Sequence, residues 1–149
     1  MPLAIGDSAP TFSLRASDGT DIALATFRER ANVVLIFYPK DQTPGCTKQL
    51  CTARDDRAAY ENAGAAVFGV NGDDAASHAR FIAKFGLTMP LLTDPGLAVA
   101  KAYDAVLGLG PLKIVNRTVV GIDRAGRVAF YERGMPATAK VLAALASPA

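Results

Sequence analysis

The sequence has few residues that could form metal sites or disulfide frameworks. Its 149 residues include two cysteines, Cys46 and Cys51, and a single histidine, His78. Two cysteines are too few for a disulfide framework in a chain of this length. Together with one distant histidine, they also fall short of the ligand set of a structural zinc site. We therefore expect no metal.

Charge of one sign and long apolar runs are also missing. The 16 Lys and Arg residues and 14 Asp and Glu residues leave a net charge of +2, which gives no reason to expect a nucleic acid or an anionic membrane as a partner. No stretch reaches the roughly 20 uninterrupted apolar residues of a membrane span. Residues 1–7 lack the basic and apolar segments of a secretion signal. These absences predict a cytoplasmic protein, in which close cysteines are more often catalytic or metal-binding than structural.

The apolar residues that are present include a continuous run, Val33–Tyr38, and a second, largely apolar run, Ala66–Asn71. Continuous rather than alternating apolar runs of this length predict strands that are buried on both faces of a sheet. A helix is predicted after each run, ending near Gly64 and Gly86, because glycine is common just past a helix end. The order strand, helix, strand, helix implies parallel pairing with right-handed crossovers.

Shorter elements are predicted around this unit. They are an N-terminal hairpin (11–14 and 21–24), a short segment (90–92), an alanine-rich helix (96–106), a loop (108–111), a second hairpin (118–122 and 128–131) and a final helix (137–146). The second hairpin turns at 123–126, whose composition suits a turn with glycine in the left-handed conformation. With no internal repeat or domain boundary, the sequence predicts a single domain over residues 1–149, built on a mixed α/β sheet.

Both cysteines lie in one stretch directly after the first predicted strand. Thr43 precedes a proline and suits an N-cap, which puts Pro44 at the first helical position and Cys46 at the third. A thiol there lies beside unpaired backbone N–H groups and the positive end of the helix dipole, which favour thiolate over thiol. We interpret Cys46 as a reactive thiol and expect it to be partly exposed, because a charged segment follows it. The alternative is an inert buried thiol.

Cys51 follows five residues after Cys46. At that spacing, two helical Cα atoms are roughly 8–9 Å apart, whereas a disulfide needs less than about 7 Å. A disulfide between the two cysteines would therefore require the first turns of the helix to unwind. Without such a role, Cys51 is simply a core residue of the helix.

This stretch resembles the active-site motif of the peroxiredoxins. The pattern is Pro39-x-x-x-Thr43-x-x-Cys46, and the run from Thr43 to Thr47 followed by Cys51 is similar to the bacterioferritin-comigratory-protein or peroxiredoxin Q group. The likeness continues through residues 77–81, 90–94 and 117–123. It implies a thioredoxin-like fold with a mixed central sheet, flanking helices and an N-terminal β-hairpin. It also implies a peroxidase that needs no cofactor, acting as a monomer or weak dimer.

The resemblance also implies roles for individual residues. Cys46 would be the peroxidatic cysteine that attacks hydrogen peroxide or an organic hydroperoxide, and Cys51 the resolving cysteine that forms an intramolecular disulfide with it. Thioredoxin or a similar dithiol would then reduce the disulfide. Pro39 and Thr43 belong to the motif, and the Thr43 hydroxyl would both cap the helix and donate to the peroxide. Arg117 matches the arginine that stabilises the thiolate and the charge developing on the peroxide oxygen, although an arginine that opens a strand is usually a solvated charge.

Some positions depart from this pattern or leave alternatives open. Gln49 stands where glutamate is frequent, and residues 119–120 are valines where an aromatic is more usual. We interpret His78 as a residue that contacts neighbouring helix turns, with a cysteine–histidine nucleophilic pair as the alternative. Two other functions stay open: a redox-sensing or interaction protein that uses the cysteines as a switch, and a thiol–disulfide oxidoreductase, which normally uses the shorter C-x-x-C spacing.

Overall fold

The protein is described by a computed structural model over residues 3–146. The strands are β1 (Ser13–Ala16), β2 (Asp21–Ala23), β3 (Asn32–Phe37), β4 (Ala65–Asn71), β5 (Leu91–Thr93), β6 (Val106–Leu107), β7 (Ile114–Val115), β8 (Thr118–Ile122) and β9 (Val128–Arg133). The α-helices are α1 (Pro44–Asp55), α2 (Arg57–Asn62), α3 (Ala75–Phe85), α4 (Ala98–Ala102) and α5 (Thr138–Ala146). Short 3-10 turns cover Leu24–Phe27, Pro95–Leu97 and Gly110–Leu112.

Seven of these strands form one mixed sheet, in the order β2-β1-β5-β4-β3-β8-β9. β3 is parallel to β4 and β4 to β5, whereas β8 is antiparallel to β3. Helices α1 and α2 connect the first parallel pair, and α3 connects the second. The predicted mixed α/β sheet, its parallel unit and its N-terminal hairpin are thus confirmed. β3 lies inside the sheet, so the segment after it starts from a rigid strand.

The sheet separates two apolar clusters, which explains why all six residues of β3 are buried. Leu35 belongs to one cluster, while Val34 and Ile36 belong to the other, because successive side chains of a strand point to opposite faces. Helix α1 packs on the second face, where its Leu50 is fully buried. Gly69 of β4 permits close packing on this face, since a Cβ there would lie 2.7 Å from a methyl carbon of Leu91 and 3.0 Å from the Tyr38 ring.

The first crossover is two helices rather than the single helix predicted. Helix α1 ends at Asp55 and α2 begins at Arg57, because Asp56 between them leaves the helical conformation (φ −91°, ψ 14°). The Asp56 carboxylate accepts a hydrogen bond from the Thr138 hydroxyl at 2.6 Å. This bond ties the break to the start of α5, a contact that local sequence could not reveal. Gly64, as predicted, follows the crossover with a positive φ of 64°.

The predicted helix at 96–106 is also wrong in its extent. Gly96 and Leu97 have positive φ values of 64° and 58°, so the α-helix begins only at Ala98. The carboxylate of Asp94 accepts hydrogen bonds from two backbone N–H groups at its start, those of Val99 and Ala100. At the other end, β6 pairs with β7 in a small two-stranded sheet. Pairing with residues further along the chain therefore overrides the helical tendency of the alanines.

The other predicted elements lie close to their predicted positions. β1 begins at Ser13 rather than at residue 11, the second hairpin is confirmed with Gly126 at φ 80° in its turn, and α5 begins at Thr138. None of the helices within residues 3–146 has the length and apolarity needed to traverse a bilayer. A single domain over residues 1–149 stays a prediction, and residues 1–2 and 147–149 lie outside the described part.

Candidate active site

Helix α1 starts as predicted, but without a side-chain cap. Thr43 is the N-cap with an extended backbone (φ −77°, ψ 152°), and Pro44 occupies the first helical position. The Thr43 hydroxyl does not accept from the helix; it donates instead to the backbone oxygen of Lys40 at 3.0 Å. The predicted cap bond is therefore wrong, because the preceding loop engages this side chain. A hydroxyl that donates once can still accept hydrogen bonds from a ligand.

Arg117 contacts the sulfur of Cys46. Its Nη2 donates to Sγ over 3.2 Å. The sheet explains the contact, because Thr118 of β8 pairs with Phe37 at the end of β3. The residue before β8 therefore lies beside the segment that follows β3. The guanidinium and the helix N-terminus both place positive charge at the sulfur, and both stabilise negative charge on it.

Cys46 is fully buried, which contradicts the partial exposure expected from its sequence neighbours. Lys48, the charged residue that follows it most closely in sequence, is exposed on another face of α1. The buried face of α1 consists instead of Cys46, Gln49, Leu50 and Ala53, the spacing of an amphipathic helix. Neighbours in sequence do not share a helix face, so the charged segment says nothing about the exposure of the thiol.

Gln49 holds the Arg117 guanidinium in place. Its Oε1 accepts from Arg117 Nη1 at 2.6 Å, and its Nε2 donates to the backbone oxygen of Gly134 at 3.3 Å. The Gly134 N–H in turn donates to the backbone oxygen of Arg117 at 2.9 Å. One neutral carboxamide thus links α1, β8 and the end of β9. The sequence marked Gln49 only as a departure from a pattern, and nothing local indicated these partners.

The other predicted site residues form no hydrogen bond to the Cys46 sulfur within the part of the chain that the structure describes. Cys51 belongs to the same continuous helix, is half-buried against the second apolar cluster, and has a free thiol, as does Cys46. Pro39 is exposed and lines an open cleft of about 470 Å³ that also contacts Lys40, Leu97 and Ile114. The structure therefore brings together Cys46 and Arg117, and leaves Cys51 separated from Cys46 by intact helix.

A buried polar network that the sequence did not predict lies beneath the loop between β3 and α1. Asp41 is its centre: one carboxylate oxygen accepts from the Tyr38 hydroxyl (2.6 Å) and Asn71 Nδ2 (3.1 Å), the other from the Ser77 hydroxyl (2.7 Å) and His78 Nδ1 (2.7 Å). The side chains of Asp41 and His78 are 2% and 0% exposed. The prediction that His78 contacts turns of its own helix is therefore wrong, because its ring reaches across to the loop.

The network changes the acidity of its members. Burial raises the pKa of Asp41, but hydrogen bonds from His78, Tyr38 and Ser77 together lower it by more than burial raises it. The pKa therefore lies below the ordinary carboxyl value. Burial also raises the pKa of Tyr38, and the negative charge of Asp41 adds to that rise. Asp41 is thus a carboxylate and Tyr38 a phenol at neutral pH. Within residues 3–146, no three His, Cys, Asp or Glu side chains are grouped so as to hold a metal ion.

Known proteins are similar to the part of the chain that contains this site. The model of the AhpC/TSA family matches residues 5–131. Peroxiredoxin Q, chloroplastic, of Oryza sativa subsp. japonica is 40% identical over 147 residues, which cover 94% of this chain and 67% of the rice protein. The chain thus spans about two thirds of that relative's length.

Solved structures are similar over nearly the whole chain. Peroxidoxin BcpB from Mycobacterium tuberculosis has a TM-score of 0.88 and 30% sequence identity, with 96% of each chain covered. The bacterioferritin comigratory protein of Xanthomonas campestris, whose structures concern its alkyl peroxide reduction activity, has a TM-score of 0.82 and 29% identity, with 96% of this chain and 95% of that one covered.

Proposed function

Since the chain belongs to the AhpC/TSA family, and is a peroxiredoxin by its similarity to peroxiredoxin Q, we propose that it is a thiol peroxidase with Cys46 as its nucleophile. The observation that carries the proposal is the 3.2 Å contact between Arg117 Nη2 and Cys46 Sγ at the start of α1. Hydrogen peroxide and organic hydroperoxides are the substrates. The alkyl peroxide reduction activity of the Xanthomonas protein supports the second class.

In the first step, the Cys46 thiolate attacks one oxygen of the hydroperoxide. An S–O bond forms, the O–O bond breaks, and the leaving oxygen takes a proton to become water or an alcohol. Sulfur is oxidised to sulfenic acid and the peroxide is reduced. Arg117 stabilises both the thiolate and the negative charge that develops on the leaving oxygen, because its guanidinium is fixed in position before the reaction. The Gln49 carboxamide is what fixes it.

Thr43 and Pro39 complete the site as positioning groups. The Thr43 hydroxyl already donates to the Lys40 backbone oxygen, so it serves the peroxide as an acceptor for the O–H hydrogen rather than as a donor. Pro39, which has no N–H and a fixed φ, ends β3 rigidly before the loop turns towards α1. Because Cys46 is fully buried, peroxide enters after a small displacement of the first turn of α1, while Gln49 keeps the guanidinium in place.

In the second step, the Cys51 sulfur attacks the sulfenic sulfur of Cys46. An S–S bond forms, the S–O bond breaks, and water leaves. The distance across the intact helix, roughly 8–9 Å between Cα atoms, exceeds what a disulfide spans. Helix α1 must therefore unwind at its start, where glycine and threonine are poor helix formers. A dithiol protein, thioredoxin or one similar to it, then reduces the disulfide by exchange and becomes a disulfide itself.

The setting of this chemistry is part of the same proposal. We place the enzyme in the cytoplasm, as a monomer or weak dimer, with a hydroperoxide and a dithiol as its reaction partners. A cytoplasmic dithiol pool supplies the reducing equivalents that each turnover consumes. The proposed domain is the whole chain, residues 1–149.

Peroxide consumption in the presence of excess dithiol tests the proposal. An enzyme removes many equivalents of peroxide per protein, at a rate proportional to protein concentration. A redox switch consumes one equivalent and then stops, and that outcome would overturn the peroxidase in favour of a sensing or interaction protein. Cys46→Ser is the control that must consume none.

A further inference from the structure

The mechanism proposed above makes no use of the buried pair formed by Asp41 and His78. We infer that this pair is a positioning unit, which holds the loop from Pro39 to Thr43, and with it the first turn of α1, in the arrangement in which Cys46 reacts with peroxide. The inference rests on the proposed function and adds two residues to its machinery. Within the described residues, neither Asp41 nor His78 forms a hydrogen bond to the Cys46 sulfur.

The loop is attached at Asp41 to three separate elements. Its carboxylate accepts from Tyr38 just after β3, from Asn71 at the end of β4, and from two side chains of α3. The Asp41 backbone N–H donates to Asp73 Oδ2 at 2.7 Å, and Asn71 Nδ2 contacts the same oxygen at 3.2 Å. Both the side chain and the main chain of one loop residue are therefore fixed against the rest of the sheet.

The next residue shows why the loop needs such an attachment. Gln42 has a φ of 62°, a left-handed conformation in a residue other than glycine. Such conformations are sparsely populated and persist where the surrounding structure determines them. Gln42 is itself exposed, so the constraint comes from its buried neighbour, Asp41. Thr43, the N-cap of α1, comes directly after Gln42, which makes the helix start depend on the same attachment.

The burial of the pair indicates a positional role. Moving charged and polar groups out of water costs free energy that their mutual attraction only partly offsets, so apolar residues of equal volume often stabilise a fold as well or better. What apolar residues cannot do is fix a direction. Asp41 Oδ2 lies 2.7 Å from both the Ser77 hydroxyl and His78 Nδ1. These short bonds to one helix set where the loop lies.

Only one nitrogen of His78 serves the network. A carboxylate can only accept, so Nδ1 carries the hydrogen that is donated to Asp41. The other nitrogen, Nε2, has no hydrogen-bond partner among the residues that the structure describes. Asparagine carries its Nδ2 on Cγ, the same atom that bears Nδ1 in histidine. His78→Asn can therefore restore the donor, whereas His78→Ala removes it.

The test compares two reactions of Cys46 in proteins that also carry Cys51→Ser. One is sulfenic acid formation with hydrogen peroxide, and the other is alkylation by iodoacetamide. We expect His78→Ala to slow the peroxide reaction about ten- to hundredfold, because a small displacement of aligned groups has a cost of that order. Alkylation should become faster, since a loosened loop uncovers a thiol that is fully buried in the native structure. His78→Asn should return both rates towards those of the parent.

Two further variants separate positioning from general destabilisation. Tyr103→Phe removes a partly buried hydrogen bond of 2.6 Å from a residue of the other apolar cluster to the Pro10 backbone oxygen, and it should leave both rates unchanged. Ser77→Ala removes one donor to Asp41 and is the milder variant if His78→Ala does not fold. Asp41→Ala combined with His78→Ala should be no slower with peroxide than either single variant, because the two residues act as one unit.

Several outcomes would overturn the inference. They are an unchanged peroxide rate in both His78→Ala and Ser77→Ala, a His78→Asn variant as slow as His78→Ala, and an equal loss in Tyr103→Phe. If the parent forms no sulfenic acid, the proposed function has failed, and the alkylation rates alone decide the positioning. Faster alkylation in His78→Ala that asparagine reverses then supports the pair as the attachment of the loop. Unchanged alkylation in His78→Ala then rules out the pair as the attachment of the loop.

Discussion

The guanidinium of Arg117 lies 3.2 Å from the sulfur of Cys46, although 71 positions separate the two residues along the chain. The antiparallel pairing of β3 and β8 produces this contact, because Phe37 and Thr118 face each other at the ends of the two strands. The nucleophile and its cation therefore sit on elements fixed by a fully buried strand.

The two cysteines should have separable roles. We expect Cys46→Ser to abolish peroxide reduction and Cys51→Ser to retain the first step, because only Cys46 lies beside Arg117 and at the start of the helix. Trapping sulfenic acid with dimedone and locating it by mass spectrometry measures this. Sulfenic acid on Cys51 in the Cys46→Ser protein, and none on Cys46 in the Cys51→Ser protein, would reverse the assignment.

Removing Arg117 should slow the peroxide reaction without unfolding the protein. One hydrogen bond to a charged group is worth about 1.5–3 kcal/mol, so Arg117→Ala should lose roughly ten- to hundredfold in rate. Arg117→Lys should recover only part, because an ammonium cannot contact both Cys46 and Gln49 as the planar fork does. Stopped-flow kinetics with hydrogen peroxide measures the rates. The matched control is Arg15→Ala, which removes a surface arginine paired with Asp21. A rate in Arg117→Ala equal to that of the control would mean that Arg117 does not contribute to the reaction.

Oxidation should unwind the start of α1. We expect the amides of residues 46–52 to lose protection against hydrogen exchange when the disulfide forms, because the intact helix holds the two Cα atoms too far apart. Exchange followed by mass spectrometry on the reduced and oxidised proteins measures it, with α3 as an internal reference that should not change. Peroxide-treated Cys51→Ser, which cannot form the disulfide, should keep its protection. Equal protection in both forms of the native protein, with the disulfide present, would contradict the unwinding.

The resistance of the fold to acid should depend in part on Asp41. The pKa of this carboxyl is held below its ordinary value of 3.8. A group whose pKa is depressed by folding contributes stability that is complete above its unfolded value and is lost as the pH falls through its folded value. The free energy of unfolding should therefore decline below about pH 4, and less steeply in Asp41→Asn.

Urea denaturation at a series of pH values measures this decline. Asp21→Asn, at an exposed ion pair with Arg15, is the control and should keep the native profile. An Asp41→Asn profile parallel to that of the native protein in acid would mean that Asp41 does not contribute.

Patterns along the chain were enough to predict the sheet and the helix that carries the cysteines. The continuous apolar run of β3 and the Thr43-Pro44 start of α1 are local signals, and the structure contains both elements. The comparisons confirm the peroxiredoxin resemblance and the thioredoxin-like fold that it implied. Arg117 was identified by resemblance alone, since its contact with Cys46 depends on strand register.

The features that were missed depend on residues far apart in sequence. The break at Asp56 is bonded to Thr138, the strand β6 needs β7, and the burial of Cys46 follows from which face of α1 meets the sheet. Asp41 and His78 give no local sign of each other, because they are 37 positions apart. A single histidine in a helix has many ordinary explanations, and only the fold shows which one applies.

The interruption at Asp56 limits how far a structural change in α1 can travel. Melting that begins at the cysteines runs along a helix of 12 residues that ends at Asp55, and Asp56 is held independently by the Thr138 hydroxyl of α5. Helix α2 does not continue the hydrogen-bond ladder of α1, so it can stay folded while α1 rearranges. The loss and recovery of α1 therefore leave the connection to β4 anchored. After reduction, α1 re-forms its own turns from this anchored end, which is a fast local event, and then regains the contacts of Leu50 and Gln49 with the rest of the fold.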